Sequence, residues 1–383
     1  MSFVEPVVVR TLPGPALRAA RWVAWLFPLA LLGALIAFVL TGHPPPSLRL
    51  IVAGGIALIG LLALTLTRFD SAVFLGFMLM SIVPFQPGPP DMVFLVVLAV
   101  AVATGRFHLQ RLPLSVGALV AAFVFLNILS ATFVVDVPTA ERYFAITLYL
   151  AAFSVWLAGY GDSTERARRV LLGLLITGVV TATAACLALY LPGIPLTNRM
   201  TGAQRAQGLF HDPNIFGPYM LMLALVAISL SIVAVAGGVV VATGSADFLL
   251  VRARPQTYDT ERFSAQESGL HLVAAYPFGI GPGQFESYVP VSAHSTYIRA
   301  LAEQGVLGLV TILALILTTL VLAGRNAVIG RDTYGIGSAA LLGAWCGLLA
   351  NSAFIDTLHW RHLWLVAGLI WAGTMLGDRA RRR

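Results

Sequence analysis

Residues 113–133 read PLSVGALVAAFVFLNILSATF, an uncharged stretch bounded by Arg111 on one side and Asp136 on the other. At about 1.5 Å per residue a helix of this length covers roughly 30 Å, the thickness of a bilayer's hydrocarbon core. It is apolar on every side and leaves no stripe for water, so it reads as a membrane span. Working outward, runs of the same kind recur at 22–40, 48–67, 71–84, 91–104, 143–160, 170–191, 215–232, 235–251, 305–323, 334–354 and 361–377. The expected fold is all-α: one polytopic membrane domain over residues 1–383, with about twelve transmembrane helices. Two spans, 71–84 and 91–104, are short enough to form a re-entrant pair instead, which leaves the parity unchanged. The apolar stretch from Ile215 to Val251 is too long for one crossing, and the turn expected to divide it is Ala236-Gly237-Gly238.

Composition agrees with this reading. Hydrophobic residues make up 58% of the chain and charged residues 11%, against roughly 25% charged in a soluble domain. The mean hydropathy is +0.87. All 24 basic residues are arginine, and against 17 acids they leave a formal charge of +7. They lie between apolar runs and form no basic stripe, which argues against a nucleic-acid partner. Cys186 and Cys346 both fall inside apolar runs, where a thiol acts as a small hydrophobe. The run at 22–40 is longer than a signal-peptide core and lacks a small-x-small cleavage site, so it is expected to stay as the first span.

Arginine placement sets the expected orientation. With twelve spans, fifteen arginines fall in loops of one side, among them Arg68, Arg106, Arg111, Arg166, Arg168, Arg169, Arg325 and Arg331, and nine fall elsewhere. The positive-inside rule assigns the richer side, with both termini, to the cytoplasm. Two external loops are then long, 192–214 and 252–294. Long loops in a compact protein are usually functional or disordered, so function is sought there.

The first of these loops ends Arg205-Ala206-Gln207-Gly208-Leu209-Phe210-His211-Asp212-Pro213-Asn214. Asp-Pro-Asn is a turn leading into a helix, with Asn214 suited to the N-cap. In the second loop Asp259 is expected to cap a helix from about Thr260 to Ala275, with Arg262 in its first turn. Phe263, Leu270, Val273 and Ala274 fall on one face of that helix. His271 lies opposite Arg262 and is read as a surface polar residue. Gly279-Ile280-Gly281-Pro282-Gly283 follows no strand and reads as a turn rather than a phosphate loop. Finally, His294 directly precedes a helix whose N-terminal dipole favours a neutral imidazole, which makes it a candidate general base. Arg299 and Glu303 are four apart on that helix and are expected to pair.

Taken together these stretches carry a resemblance. Arg205-Ala206-x-Gly208-x-Phe210-x-Asp212-Pro213-Asn214, then Arg262 followed by Pro277-Phe278-Gly279-Ile280-Gly281-Pro282-Gly283, then Ala293-His294-Ser295-x-Tyr297-Ile298 with Glu303, Gly305 and Gly308, resemble the O-antigen ligase and polymerase family. Asn351-Ser352-Ala353-Phe354-Ile355-Asp356 and Trp360-Arg361-His362-Leu363-Trp364 are similar to its C-terminal part. The motif-bearing region is 205–371. The chain departs from the family in having no Ser-Arg pair between Asn214 and Val251, and Ser295 where Asn often follows the His. The resemblance implies an enzyme of the bacterial cytoplasmic membrane, active on its periplasmic or external face. Its donor would be a polyprenyl diphosphate-linked glycan and its acceptor a glycan, lipid or protein hydroxyl, as in lipopolysaccharide assembly.

By the same resemblance Arg205 and Arg262 grip the donor diphosphate and His294 serves the acceptor hydroxyl, with Asn214, Tyr297 and Arg299 in support. Guanidinium forks match phosphate oxygens, and stabilising the departing diphosphate lowers the barrier to displacement. No cofactor is expected. No metal is expected either, because Asp212, Asp259, Glu261 and Glu286 are scattered along the loops rather than paired. Ligase and polymerase share these motifs. Two readings from other classes remain: a transporter or flippase of polar or lipid-linked solutes, and a non-catalytic scaffold for envelope enzymes. Transporters place ionisable residues at the bilayer midplane, whereas mid-span polar residues here, such as Asn127 and Thr177, are uncharged.

Overall fold

The structure is a computed structural model that describes residues 46–109, 112–161, 164–190, 201–202, 205–210, 212–228, 257–333 and 335–382. The expected spans at 22–40 and 235–251, and the turn at Ala236-Gly237-Gly238, lie outside the described residues. The chain forms two compact units, residues 1–72 and 73–383. The described part of the first holds α1 (Pro46–Thr67) and the start of α2 (Phe69–Met78). In α1 the hydroxyls of Thr65 and Thr67 each donate to a carbonyl one turn back, at 2.7 Å, which satisfies them without water.

The second unit is a helical assembly. Its elements are α3 (Pro89–Ala103), α4 (Leu114–Ser130), α5 (Val137–Tyr160), α6 (Thr164–Tyr190), α7 (Pro213–Ile228), α8 (Thr257–Ala275), the short α9 (Phe285–Tyr288), α10 (Thr296–Val328), α11 (Ser338–Ser352) and α12 (Arg361–Arg382). Two antiparallel pairs of two-residue strands interrupt them: β1 (Thr201–Gly202) with β2 (Arg205–Ala206), and β3 (Asp332–Thr333) with β4 (Ile336–Gly337). Among the described residues four helical stretches are long and apolar enough to cross a membrane: Leu114–Phe133, Val137–Tyr160, Glu165–Ala188 and Thr296–Val328. The expected short spans at 71–84 and 91–104 correspond to α2 and α3, of 10 and 15 residues. Both fall below the ~20 residues of a straight crossing.

Small residues bring the helices together. α12 packs along α5; a methyl group on Gly368 would stand 2.8 Å from the Ser154 carbonyl, and the Ser154 hydroxyl donates to the Trp364 carbonyl at 2.7 Å. Such close approach is how helices associate where water supplies no drive. Beside this seam Phe94 meets Phe77 and Phe153 edge-on, with centroids 5.1 and 4.8 Å apart. Pairs of this kind contribute about 0.5–1.5 kcal/mol each beyond area burial. Buried polar groups pair with one another: Ser81 with Thr177 at 2.6 Å, and the Gln304 amide donating to Asn127 Oδ1 at 3.1 Å.

α10 is broken at Gly305, whose φ of 72° is not helical. A break inside an apolar helix strands carbonyls and N–H groups, each costing several kcal/mol in a dry surrounding. The glycine segment 277–283 supplies the missing partners. Ile280 N–H donates to the Ala302 carbonyl at 3.0 Å, Gly281 N–H to the Glu303 carbonyl at 2.9 Å, and Val306 N–H to the Pro277 carbonyl at 3.2 Å. The two backbones are so close that a Cβ on Gly279 would lie 2.2 Å from the Glu303 carbonyl oxygen, and one on Gly305 2.3 Å from that of Pro277. Gly279-Ile280-Gly281-Pro282-Gly283 is therefore a turn, as expected, and also the splint of a broken helix. The expected span beginning at Gly305 begins at this break.

The helix ends sort by charge. One end of the second unit, where α3, α5 and α10 finish and α6 begins, carries Arg106, Arg166, Arg168, Arg169, Arg325 and Arg331. The other end gathers the starts of α5, α7, α10 and α12 with Asp136, Asp212, His294 and Asp356.

Candidate functional site

At this second end lies a cavity of about 270 Å³. Its walls come from segments far apart in sequence: Arg142 and Tyr143 from α5, Asp212 and Asn214 from the start of α7, Glu286 from α9, His294 and Arg299 around the start of α10, and Asp356 and His359 from the link to α12. Each of these segments carries a motif or a candidate residue except α5.

Arg299, in the first turn of α10, is buried at 2% exposure and holds three carboxylates. Its Nη1 donates to Glu303 at 2.8 Å and to Glu286 at 3.2 Å, and its Nη2 donates to the other Glu286 oxygen and to the Ser292 hydroxyl at 3.0 Å. Its Nε forms an ion pair with Asp356 at 3.1 Å. The rings of Tyr143 and Phe285 flank the guanidinium, each with its centroid 5.8 Å from Cζ. The expected pairing of Arg299 with Glu303 is present and is one part of a larger cluster. Glu303 also accepts the Gly283 N–H at 2.9 Å, tying the cluster to the glycine splint. Of the four acids expected to be scattered along the loops, Glu286 joins this cluster, where it meets Glu303 and Asp356 around one cation.

Asp356 organises the far wall. Its Oδ1 accepts the Leu358 N–H at 3.0 Å, and its Oδ2 pairs with His359 Nδ1 at 2.8 Å. Burial pushes its pKa up, but His359 and Arg299 outweigh that and hold it at about 2. For Glu286 burial again acts upward, and the hydrogen-bonded Arg299 brings the carboxyl below its ordinary value. Asp212, Glu286 and Asp356 face the cavity together with Arg142, Arg299 and His359, so its wall carries both signs of charge.

His294 sits at φ 44°, a left-handed conformation that costs a non-glycine residue on the order of 1–2 kcal/mol. The chain around it over-determines that shape. Its carbonyl accepts from Gln266 Nε2 at 3.5 Å, and the Ser295 hydroxyl caps α10 through the Ile298 N–H at 3.4 Å. Thr296 Oγ1 accepts the Thr357 N–H at 2.8 Å. Backbone strain of this kind clusters at active sites and ligand clamps in other proteins.

Several expectations are corrected. Asn214 is not the N-cap of α7: Pro213 takes the first helical position, where its fixed φ fits and its missing N–H costs nothing. Asp212 is therefore the cap, and its Oδ1 accepts the Asn214 N–H at 2.8 Å. Asn214 keeps its place on the cavity wall. Tyr297 does not line the cavity; its hydroxyl donates to the Leu349 carbonyl at 3.0 Å and ties α10 to α11. α8 begins at Thr257, so Asp259 stands inside the helix rather than capping it, and Arg262 falls in the second turn. The face with Phe263, Leu270 and Ala274 is turned outward, Phe263 and Leu270 being 58% and 52% exposed, while Ala265 and Gly269 pack inward against Phe285 and Ile298.

The main chain of Arg205 lies in β2, opposite Gly202. The side chains of Arg205 and Arg262, the expected diphosphate grip, lie outside the described residues. Six of the cavity residues named above were not read from the sequence as site residues: Arg142, Tyr143, Asp212, Glu286, Asp356 and His359. Asp212 and Asp356 stood in motif stretches and Glu286 was noted as an acid beyond the glycine turn, whereas the other three gave no signal. No protein-family model matches this chain, and no curated protein matches it at a significant level.

Proposed function

We propose that the chain transfers a glycan from a polyprenyl diphosphate carrier to an acceptor hydroxyl at the outer face of a bacterial cytoplasmic membrane. The observation that carries this reading is the convergence on one cavity of three motif stretches far apart in sequence, through Asn214, through His294 with Arg299, and through Asp356. Orientation follows from the arginines: the end rich in Arg106, Arg166, Arg168, Arg169, Arg325 and Arg331 is placed inside, so the cavity opens outside.

The chemistry divides along the cavity's charge. Displacement at an anomeric carbon passes through a transition state with oxocarbenium character, and the carboxylates of Glu286 and Asp356 are assigned to that developing positive charge. His294 accepts the proton of the acceptor hydroxyl as its oxygen bonds to the anomeric carbon. The bond to the diphosphate breaks, and the leaving group departs with the electron pair. Arg205 and Arg262 are assigned to the leaving group. No metal is assigned to the reaction.

Deletion of the gene followed by analysis of surface glycans tests the proposal. Long chains retained on the lipid carrier indicate a ligase, single repeat units on it a polymerase. Unchanged surface glycans and carrier pools contradict both.

A further inference from the structure

A second cavity, also of about 270 Å³, adjoins the first and shares Gln86, Arg142, Ile146 and His359 with it. Its character is different. Pro87, Leu95, Ala145, Ile146 and Leu150 give it an apolar wall. Its two other charged groups neutralise each other, because Arg361 Nε donates to Asp91 at 2.5 Å and its Nη2 donates to the second Asp91 oxygen. Asp91 also accepts the Gly88 N–H at 2.6 Å. Leu95, on α3, is 45% exposed, so the groove opens on the apolar flank of the helices.

Arg142 stands where the two cavities meet, in the second turn of α5. It is exposed, and no hydrogen bond or ion pair joins it to any described residue. The other two arginines that reach these cavities are committed, Arg299 to three carboxylates and Arg361 to Asp91. Its position does nothing for its own helix either, since a cation stabilises the last turn and not the beginning. What remains is an available guanidinium with a polar, sugar-sized space on one side and an apolar groove on the other. An anion joined to an apolar chain matches that sequence of environments.

We propose that Arg142 holds the phosphate nearest the isoprenoid chain of the donor, and that the first isoprene units lie in the groove beside Leu95, Ala145 and Leu150. This rests on the glycan-transfer reading and adds to it a diphosphate contact on α5 and the direction from which the donor enters. The glycan then points toward Glu286 and Asp356, and the chain points toward the bilayer. A phospholipid headgroup offers the same chemistry of phosphate on an apolar tail, so the test separates the two.

The full chain in phosphatidylcholine nanodiscs is titrated with geranylgeranyl diphosphate, with geranylgeraniol and with inorganic diphosphate. Wild type is expected to bind geranylgeranyl diphosphate more tightly than either fragment. Arg142→Ala should weaken it by about tenfold to a hundredfold, the range of a charged hydrogen bond, and Arg142→Lys should recover little of that. Leu95→Trp should weaken geranylgeranyl diphosphate and leave inorganic diphosphate unchanged. Equal binding by wild type and Arg142→Ala overturns the assignment while leaving the transferase reading intact. Absence of binding by wild type contradicts the carrier itself. Displacement of geranylgeranyl diphosphate by phosphatidylglycerol at equal concentration makes the site a headgroup site and overturns the proposal.

Discussion

Arg299 Nε lies 3.1 Å from the Asp356 carboxylate, and this contact fastens the start of α10 to the segment entering α12. The same guanidinium holds Glu303 and Glu286. Removing it leaves Glu303, fully buried, beside two other acids without the guanidinium that joins all three. Breaking a buried pair on one side costs about 3–5 kcal/mol. Arg299→Ala should therefore lower the unfolding temperature in detergent more than any single carboxylate substitution in the cluster. Arg299→Lys should rescue it poorly, because a three-donor ammonium cannot reproduce the five contacts that the planar fork makes with Glu286, Glu303, Ser292 and Asp356. Equal stability of wild type and Arg299→Ala would remove the cluster from the account of the fold.

The splint at Gly279 gives a second test. Its φ of 92° and the 2.2 Å approach to the Glu303 carbonyl leave no room for a methyl group. Gly279→Ala should cost at least about 2 kcal/mol and loosen the break at Gly305. Gly324, inside α10 with open space where its Cβ would go, is the contrast: Gly324→Ala should be neutral or stabilising by up to about 1 kcal/mol. Thermal denaturation of the two variants side by side decides it, and equal effects would mean that the loop does not brace the helix.

Much of this was legible beforehand and some was not, for reasons of distance and solvent. Helical spacing showed the Arg299–Glu303 pair, because both partners lie one turn apart. Glu286 and Asp356 join them from outside that helix, and no local pattern reports such a meeting. Gly305 was legible as a boundary, yet as the start of a span rather than a break in one helix, since a glycine alone does not say what repairs it. Phe263 and Leu270 fall on one face as the spacing indicates. The structure turns that face outward, however, and packs α8 through the small residues Ala265 and Gly269, which allow Phe285 and Ile298 to come close. Arg142 sits in an otherwise ordinary apolar helix and becomes notable only when its neighbours are seen to be neutralised.

Acid should dissolve the site in a defined window. The Asp356 pKa is about 2 in the folded protein and about 3.9 in an unfolded chain. A depressed carboxylate contributes stability that is fully present above the unfolded value and is lost as pH falls through the folded one. The loss therefore runs from about pH 4 down to about pH 2, and Glu286, also held low by Arg299, acts in the same direction. Unfolding temperatures across this range should fall more steeply for wild type than for Asp356→Asn. Parallel curves would mean that Asp356 does not carry the dependence.

Transfer itself is the central claim, and His294 is where it is most exposed to test. Asn is tolerated at positive φ, so His294→Asn preserves the backbone at φ 44° while removing the proton acceptor. The direct measurement is release of polyprenyl diphosphate from a lipid-linked glycan by the purified full chain, with acceptor present, for wild type and His294→Asn. Wild type should release the carrier and elongate or glycosylate the acceptor in the presence of EDTA. His294→Asn should be slower by about a hundredfold or more while still binding the donor. A wild type that releases no carrier, or a His294→Asn variant as fast as wild type, would contradict the account.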